Sequence, residues 1–354
     1  EPYRRQRQMC IRDSDKIMLI YTGGTIGMGR SRETGALMPL DFNHLERELP
    51  ELSYMETKID VFPFDKPIDS SDMTPAIWAK LVNLISEHYD EYDGFVILHG
   101  TDTMAYTASA LSFMLENLTK PVILTGSQLP LGQMRTDGKE NVLCSIELAA
   151  AHNADGTPKV PEVCIYFDGR LMRGNRSIKV NAEGFNAFES PNYPHLCEIG
   201  VNFQFKTHHI WTPNFRLPMV PHTEMDPNVI VFSLFPGVQE SIIHHVTDAP
   251  ELKGIVMRSY GSGNAPQKEW VKRLLDKATR RGIIVVNISQ CLSGTVEMER
   301  YDTGYQLQDI GVISGHDSTV EAAVTKMMHL LAEYGDTGEM RKMMCKSIAG
   351  EITL

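Results

Sequence analysis

The 354-residue sequence lacks the features of several large classes of protein. No apolar run approaches the roughly 18 residues that a membrane-spanning helix needs, so we expect no membrane partner. Basic side chains are the minority, with 34 Lys and Arg against 45 Asp and Glu, and the net charge is −11. Such an acidic chain offers little positive surface for nucleic acid or anionic lipid. The composition therefore argues against nucleic-acid binding and is common among soluble cytoplasmic enzymes.

The usual patterns of metal-binding and disulfide-bonded proteins are also missing. The six cysteines are scattered without Cys-x-x-Cys spacing, so we expect small buried thiols in a reducing compartment such as the cytoplasm. Histidines form the pairs His208-His209 and His244-His245, but adjacent side chains point to different faces and hold a metal poorly. We therefore expect no metal and no cofactor.

The first 14 residues, EPYRRQRQMCIRDS, differ from the rest of the chain. They are basic and polar, and they lack the apolar segment of a secretory signal. They also do not resemble the start of a domain. We expect residues 1–14 to be a disordered or artefactual extension, with the folded part beginning near Asp15.

Short apolar runs alternate with helical stretches along the remaining chain. The runs are apolar on both faces, which is typical of parallel strands covered by helices on both sides. Thr74-Pro75 is a strong helix start, and apolar residues at helical spacing follow it up to Tyr89. Further helices are predicted over residues 103–118, 139–152, 266–281 and 318–334. The predicted strands are residues 16–21, 94–100, 121–127, 163–169, 228–237, 254–264 and 282–291.

This alternation breaks in a proline-spotted, non-periodic stretch in the second half of the chain. We interpret residues 206–225 as a linker between two α/β domains. The predicted domains are a larger parallel-sheet domain over residues 15–205 and a smaller α/β domain over residues 226–354. The length, and a composition of 42% apolar and 22% charged residues, are sufficient for two cores.

Polar residues directly after the predicted strands indicate a site, because open α/β sheets bind ligands beyond the carboxyl ends of their strands. Thr25 follows two glycines after the first strand, Thr101 and Asp102 follow a second strand, and Asp69–Ser71 precedes a helix. The glycine pattern matches neither the Gly-x-Gly-x-x-Gly fingerprint nor a Walker A loop. Each segment taken singly also fits an ordinary turn or helix cap.

A hydroxyl nucleophile at this position needs a base, because a hydroxyl is a poor nucleophile near neutral pH. His99 lies inside an apolar strand, so we expect a packed core histidine there. A lysine can act as the base where its surroundings lower its pKa. Lys179, in the loop after the 163–169 strand, is the candidate, although it also fits an ordinary surface position.

Several segments together resemble one known family. "TGGTIG" and "HGTDTMAYTASALSFML" resemble the two signature segments of the bacterial-type L-asparaginases. "DSSDMTP", "TGSQLPL", "DGRLMRGNRSIK", "RSYGSGNAP" and "NISQCLSG" extend the likeness in the same order. It runs from about residue 16 to residue 354 and is nearest to the cytoplasmic type I branch. The resemblance implies hydrolysis of L-asparagine, and a two-domain α/β fold with a left-handed crossover that breaks the usual rule.

The resemblance also implies catalytic roles. Thr25 matches the primary nucleophile of the family, and Thr101, Asp102 and Lys179 match its activating Thr-Asp-Lys group. The implied reaction is a double displacement through an aspartyl-enzyme ester. Backbone N–H groups near Thr25 and Thr101 are candidates for stabilising the oxyanion. Because the nucleophile is disputed within the family, Thr101 stays an alternative to Thr25.

Substrate contacts follow from the same likeness. Asp69, Ser70 and Ser71 match the segment that holds the α-carboxylate of asparagine, and Asp102, beside Thr101, matches the residue that takes its α-ammonium. Asn264 matches a residue contributed by the smaller domain of a neighbouring subunit. The implied assembly is therefore a homodimer or homotetramer with active sites at the subunit interface.

Two further features concern regulation and access. In some cytoplasmic relatives a second asparagine binds as an activator near positions that match Arg258, Ser289, Gln290 and Cys291. The alternative is that Cys291 is buried and Arg258 pairs with a carboxylate. Many secreted relatives carry a tyrosine on the mobile loop after the nucleophile, whereas residues 26–40 contain none. The polar, glycine-containing loop still suits a lid.

Three other functions remain open. Asparagine and glutamine differ by one methylene, worth only about 1–3 kcal/mol of discrimination in a pocket, so a mixed glutaminase-asparaginase is an alternative. An amide-hydrolysing subunit of a tRNA-dependent amidotransferase is another, although such subunits carry an added domain ahead of the signatures. A non-catalytic amino-acid sensor on the same fold is the third, but a sensor needs no base.

Overall fold

The computed structural model describes residues 14–30, 37–39, 49–299, 302–335 and 337–354. Nearly all of the predicted extension, residues 1–13, lies outside the described residues. Residues 31–36 and 40 of the predicted lid also lie outside them. Both predictions therefore stay untested.

Strands and helices alternate through most of the described chain. The helices are α1 (Pro75–Glu87), α2 (Met104–Met114), α3 (Gly138–Ala149), α4 (Glu240–Thr247), α5 (Glu269–Arg280), α6 (Asp302–Asp309), α7 (Val320–Glu333) and α8 (Thr337–Met344). The strands before the linker are β1 (Lys16–Gly23), β2 (Met28–Arg30), β3 (Leu37–Pro39), β4 (Lys58–Ile68), β5 (Gly94–Leu98), β6 (Leu115–Glu116), β7 (Val122–Thr125), β8 (Val163–Phe167), β9 (Arg170–Arg173), β10 (Ile178–Lys179), β11 (Phe188–Glu189), β12 (Cys197–Ile199) and β13 (Phe203–Phe205). The later strands are β14 (Val220–Pro221), β15 (Val229–Ser233), β16 (Gly254–Ser259), β17 (Ile284–Ser289) and β18 (Ile313–Ser314).

The larger sheet has the strand order β13-β12-β9-β8-β7-β5-β1-β4. Strands β4, β1, β5, β7 and β8 are parallel, whereas β9, β12 and β13 pair antiparallel at one side. Every residue of β5, β7 and β8 is buried, as expected for parallel strands with both faces covered. The predicted parallel sheet is confirmed. The hand of its crossover stays a prediction, because strand order alone does not give it.

Alternate residues of β1 show how both faces of this sheet are filled. Met18 and Ile20 pack in the apolar layer that contains Trp78 of α1. Ile17 and Leu19 point the other way, into the layer that contains residues of α3. Each fully buried aliphatic side chain contributes about 1.5–3 kcal/mol. The central strands are therefore held rigidly, and their carboxyl ends form a fixed platform for loops.

The smaller sheet is parallel throughout, in the order β15-β16-β17-β18. Leu274 and Leu275 of α5 cover one face, and Met327 and Leu330 of α7 cover the other. This confirms the second α/β unit. No helix in the described ranges combines the length and apolarity needed to cross a bilayer.

The segment predicted as a linker, residues 206–225, is more ordered than its sequence indicates. It contains a 3₁₀ turn at Thr207–His209, and its strand β14 pairs antiparallel with β6. His222 then bridges Glu116 and Glu333, with both ring nitrogens 2.9 Å from a carboxylate oxygen. A two-residue pairing leaves no periodicity in the sequence, which explains why the pattern missed it.

The carboxyl-terminal residues return to the larger sheet. Arg176, 1% exposed, donates to both oxygens of Asp317 at 2.9 and 2.7 Å and to the Glu351 carbonyl at 2.7 Å. Arg176 lies in a 3₁₀ turn, Gly174–Arg176, just before β10. The turn before the short strand that carries Lys179 is therefore bonded to the loop after β18 and to the carboxyl-terminal segment.

Candidate active site

The turn after β1 brings two loops into close contact. Gly23 and Gly24 have φ angles of 139° and 89°, a region that favours glycine. A Cβ atom at Gly24 would lie 2.5 Å from the Cα of Gly100, so a larger residue does not fit there. Thr25 follows at once, opens a 3₁₀ turn and is exposed. The two glycines thus place the exposed Thr25 at the end of β1, one residue after the glycine that packs against the loop following β5.

Lys179 meets that second loop. Its Nζ lies 2.8 Å from Thr101 Oγ1 and 2.7 Å from Asp102 Oδ1, and it donates to both. The lysine side chain is 19% exposed, whereas that of Asp102 is 66% exposed. The mostly buried Lys179 amine thus donates to the Thr101 hydroxyl, and the Asp102 carboxylate beside it is still exposed to solvent. This arrangement can pass a proton between threonine and lysine and can hold a cationic group at Asp102.

The serine-rich segment before α1 forms the third loop. Asp69 Oδ1 accepts from the Ser71 N–H and from the Ser71 hydroxyl, each at 2.9 Å, and these bonds lower the pKa of Asp69. Ser70 is buried, whereas Ser71 is exposed. Thr103 donates to the Ser70 carbonyl at 2.6 Å, which fixes this loop against the one that carries Thr101.

Gly100 lies where the three loops cross. A Cβ atom at Gly100 would lie 2.6 Å from Ser70 Oγ, and its own Cα already limits Gly24. The loops that carry Thr25, Thr101 and the serine segment therefore approach one another at Gly100. Gly100 was not among the residues predicted for the site, although a glycine between a buried strand and two polar residues is itself a signal of close approach.

Thr25 is placed near this group but is not bonded into it. Within the described chain its hydroxyl makes no hydrogen bond to Thr101 or Lys179. Asn264 lies elsewhere, in the turn after β16, where its N–H donates to the Tyr260 carbonyl at 2.8 Å. A single chain thus supplies hydroxyl and carboxylate groups at the end of the larger sheet, the Lys179 amine from the separate β10–β11 pair, and Asn264 beside the smaller sheet.

Of the proposed regulatory residues, Arg258 lies in β16 and Ser289 ends β17, whereas Gln290 and Cys291 come directly after β17. Among the described residues no carboxylate forms an ion pair with Arg258, and its Nε is buried without a hydrogen-bond partner. Gln290 Nε2 donates to the carbonyls of Leu234 and Arg258, at 2.6 and 2.8 Å. Ser289 Oγ donates to the Gly261 carbonyl at 2.6 Å and accepts from the Cys291 N–H. Cys291 is exposed, because it lies in the loop beyond β17, so the prediction of a buried thiol is wrong there.

Cysteine placement is mixed in the rest of the described chain. Cys164 and Cys197 are buried, as predicted, and Cys144 is half-buried. Cys345 is exposed, which contradicts the prediction. It follows the last turn of α8, where the chain leaves the smaller core. All the described cysteines are free thiols.

One group of potential metal ligands occurs among the described residues, at the edge opposite the three loops. Ligand atoms of Asp15, Asp93 and His152 lie within 4.8 Å of one another. Asp93 accepts from the Lys16 N–H at 2.8 Å, and His152 Nδ1 lies 2.7 Å from the Ala150 carbonyl. Asp15 and Asp93 precede β1 and β5, so these residues are remote from the carboxyl ends of the strands.

Comparison with known proteins agrees with this geometry. A family model described as "Asparaginase, N-terminal" matches residues 16–211. A second, "Glutaminase/Asparaginase C-terminal domain", matches residues 228–344. L-asparaginase 1 of Escherichia coli K12 is 45% identical over 349 residues, which cover 95% of this chain and 98% of that protein.

Two further relatives are similar over nearly the whole of this chain. The crystal structure of L-asparaginase I from Vibrio cholerae superposes with a TM-score of 0.86 at 41% identity, covering 96% of this chain and all of that one. The 60 kDa lysophospholipase of Mus musculus is 39% identical and covers 96% of this chain, which spans 63% of that longer protein. The two family models, together with near-complete coverage at 45% identity, show that this chain belongs to the asparaginase family.

Proposed function

We propose that the protein hydrolyses L-asparagine to L-aspartate and ammonia, with Thr25 as the nucleophile. The observation that carries the proposal is the contact of Lys179 with Thr101 and Asp102, beside the glycine turn that exposes Thr25. A non-catalytic sensor would need the carboxylate for the amino acid but not an amine held against a hydroxyl. The placement therefore favours a catalyst over a sensor.

The first half of the reaction forms an ester. Thr25 Oγ attacks the side-chain amide carbon of asparagine, and its proton passes by way of Thr101 to Lys179. The tetrahedral intermediate then collapses as the C–N bond breaks and a proton returns to the leaving nitrogen, which departs as ammonia. The products of this step are free ammonia and an aspartyl ester of Thr25.

The second half restores the enzyme. Water attacks the ester carbon and gives up a proton through the same Thr101–Lys179 pair. The C–O bond to Thr25 breaks, the Thr25 oxygen regains a proton, and aspartate is released. Asp102 holds the Lys179 ammonium when it is charged. Backbone N–H groups at the glycine turn and after β5 stabilise the oxyanion in both halves.

Recognition of the amino acid uses the rest of the loop cluster. The exposed Asp102 carboxylate suits the α-ammonium, and the Ser70–Ser71 turn, shaped by Asp69, suits the α-carboxylate. This divides the substrate into a charged end that is read by the loops and an amide end that reaches Thr25. Glutamine would place its amide one methylene further from the same anchors.

The complete site needs a second copy of the chain. We propose that Asn264 of a neighbouring subunit completes each site in a homodimer or homotetramer. Support comes from apolar side chains exposed on the smaller domain: Phe235 is 56%, Ile242 62% and Leu292 57% exposed in the single chain. Sedimentation of the purified protein tests this, since a monomer at the concentration used for activity assays would remove Asn264 from the site.

Two finer points belong to the same proposal. Free thiols at all the described cysteines suit a cytoplasmic location. A second asparagine is proposed to bind near Arg258, whose Nε is buried without a hydrogen-bond partner in the described chain, together with Ser289, Gln290 and Cys291. Such a ligand would offer the carboxylate that this guanidinium lacks.

The deciding measurement is ammonia release from asparagine and from glutamine, side by side. We expect a kcat/KM for asparagine at least about 10-fold above that for glutamine, the size of a one-methylene preference. Equal values would identify a mixed glutaminase-asparaginase. Release from neither substrate, with tight binding of asparagine, would support the sensor.

A further inference from the structure

His99 joins the buried end of β5 to Gly100, at the point where the three loops cross. Its side chain is 1% exposed, so it touches neither solvent nor substrate. Both ring nitrogens are nevertheless engaged. Nδ1 lies 2.6 Å from the carbonyl oxygen of Gly100, and Nε2 lies 2.9 Å from Thr107 Oγ1.

The direction of every hydrogen bond around His99 is determined. A carbonyl oxygen only accepts, so Nδ1 carries a proton and donates to Gly100. Burial lowers the pKa of His99 to about 4, so the ring is neutral near pH 7 and Nε2 is an acceptor. Thr107 Oγ1 accepts from Trp78 Nε1, which can only donate, at 3.0 Å. The Thr107 hydroxyl proton is therefore directed to His99, and the chain runs Trp78 to Thr107 to His99 to Gly100.

This chain fixes the orientation of one peptide group. The carbonyl of Gly100 and the N–H of Thr101 belong to the same planar trans peptide, so they point in opposite directions. Holding the carbonyl from the buried side turns the Thr101 N–H away from the core. The same glycine packs against Gly24, one residue before Thr25. In the described chain the Thr101 N–H has no internal acceptor.

We propose that His99 is a positioning residue: it holds the Gly100–Thr101 peptide so that the Thr101 N–H serves as an oxyanion donor for the reaction at Thr25. The inference rests on the proposed function and adds a buried residue that never contacts substrate. A carbonyl that accepts a hydrogen bond also polarises its peptide and strengthens the N–H as a donor. Loss of a whole oxyanion donor costs about 10²–10³ in kcat, so misdirecting one should cost about 10- to 100-fold.

Two substitutions separate the two halves of the imidazole. In His99→Asn the amide nitrogen branches from Cγ, as Nδ1 does, and can still donate to the Gly100 carbonyl. In His99→Gln the amide lies at the level of Nε2, so it reaches Thr107 but leaves the carbonyl without its donor. We expect His99→Asn to stay within about 3-fold of wild-type kcat. We expect His99→Gln to lose about 10- to 100-fold in kcat, with KM within about 3-fold.

Two ligands distinguish positioning from mere support of the fold. The aldehyde analogue of aspartate, L-aspartate β-semialdehyde, accepts the Thr25 oxygen at its carbonyl carbon, and the proton moves to the new oxygen to form a hemiacetal. Its affinity should fall in His99→Gln by the same factor as kcat, whereas affinity for the product L-aspartate should not change. If both variants instead lose kcat in proportion to their thermal stability, His99 is only structural and the proposal is wrong.

Further readouts cover the case in which both His99 variants fold poorly. Thr107→Val leaves Nε2 without its donor, so both tautomers become accessible and kcat should fall about 3- to 10-fold at unchanged KM. ¹⁵N NMR of the wild-type imidazole should show protonated Nδ1 and bare Nε2 from pH 5.5 to 8.5; the opposite tautomer would overturn the proposal. If Thr25→Ala turned over asparagine at the wild-type rate, the assignment of Thr25 as nucleophile in the proposed function would be wrong. If His99→Gln kept the wild-type kcat, only the positioning role of His99 would be wrong.

Discussion

The two main sheets both carry polar side chains near the carboxyl ends of their parallel strands, yet they use these side chains in different ways. At the carboxyl ends of the larger sheet, Thr101 and Asp102 bond to Lys179, which lies in the separate β10–β11 pair, and Thr25 after β1 is exposed. On the smaller sheet, Gln290 and Ser289 donate to backbone carbonyls of neighbouring loops. Both sheets thus place hydroxyl and amide groups at the carboxyl ends of their strands, where open sheets bind ligands.

The two sets of side chains differ in whether their hydrogen-bond donors remain available to a substrate. A side chain that satisfies a backbone carbonyl stabilises a loop, but its donor is no longer available to substrate. Asn287 on the smaller sheet, with no exposed surface, follows this rule by donating to the Gly263 carbonyl at 3.0 Å. The Lys179 amine instead pairs with groups that can exchange protons or bind cations. Position at a sheet edge is therefore not enough to indicate catalysis; the partners of each side chain decide.

The most severe test of the comparison is removal of the exposed hydroxyl. Thr25→Ala should lower ammonia release from asparagine by about 10³-fold or more, because no other group would form the ester. Thr25→Ser keeps the hydroxyl and should retain part of the activity. Coupled ammonia assays on both variants, with circular dichroism as a folding control, make the measurement. If Thr25→Ala turned over asparagine at nearly the wild-type rate, Thr25 would not be the nucleophile and Thr101 would take that role.

The next largest effect concerns the amine. Lys179→Met should lower kcat by about 10²–10⁴, the usual worth of a general base, and should change KM much less. Lys253→Met is the matched control on the smaller domain, because Lys253 pairs with the Asp226 carboxylate at 2.6 Å and, among the described residues, donates to no hydroxyl. Steady-state kinetics should show wild-type kcat for this control. A rise in KM at constant kcat for Lys179→Met would make Lys179 a binding residue.

A smaller effect is expected where the two domains meet. Burial opposes the charge on His222, but hydrogen bonds to Glu116 and Glu333 outweigh it and raise its pKa above 6.5. A raised pKa means that the ion bridge stabilises the fold fully below pH 6.5 and is lost as pH rises through the folded-state pKa. Because solvent screens these pairs, the loss is about 0.5–1 kcal/mol.

The measurement is thermal unfolding between pH 6 and pH 8.5. As pH rises over this range, the Tm of wild type should fall by more than the Tm of His222→Gln. His244→Gln is the control, since His244 is exposed and its partners among the described residues, Asp248 and Lys277, lie within the smaller domain. An identical pH dependence in wild type and His222→Gln would show that the bridge does not stabilise the contact between the domains.

The smallest expected effect tests whether the smaller sheet edge also binds ligand. If a second asparagine binds near Arg258, rate against asparagine concentration should be sigmoidal in wild type. Gln290→Ala should then give a hyperbola with kcat within about 2-fold of wild type, because Gln290 shapes the loop around the Arg258 carbonyl. A plain hyperbola in wild type would leave the smaller sheet edge as scaffold only.

Sequence patterns predicted some elements well and missed others for a physical reason. Strands β5, β7 and β8 are buried on both faces, so they are continuous apolar runs and are easy to recognise. Strand β4 has mostly half-buried or exposed residues, since it lies at the edge of the sheet, and its pattern went unrecognised. The short antiparallel strand β12 contributes only three residues, too few for any period.

The sequence by itself determined which chemistry-bearing residues stand after buried strands and, through its signature segments, the family to which the chain belongs. It determined these because buried strands and glycine turns are local features, written in consecutive residues. Only the tertiary structure decided that Lys179 contacts Thr101, 78 residues away. The same is true of the neutral, buried His99, whose Nδ1 donates to the carbonyl of the Gly100–Thr101 peptide. Such contacts depend on how sheets and loops pack in space, and the spacing of residues along the chain does not contain that information.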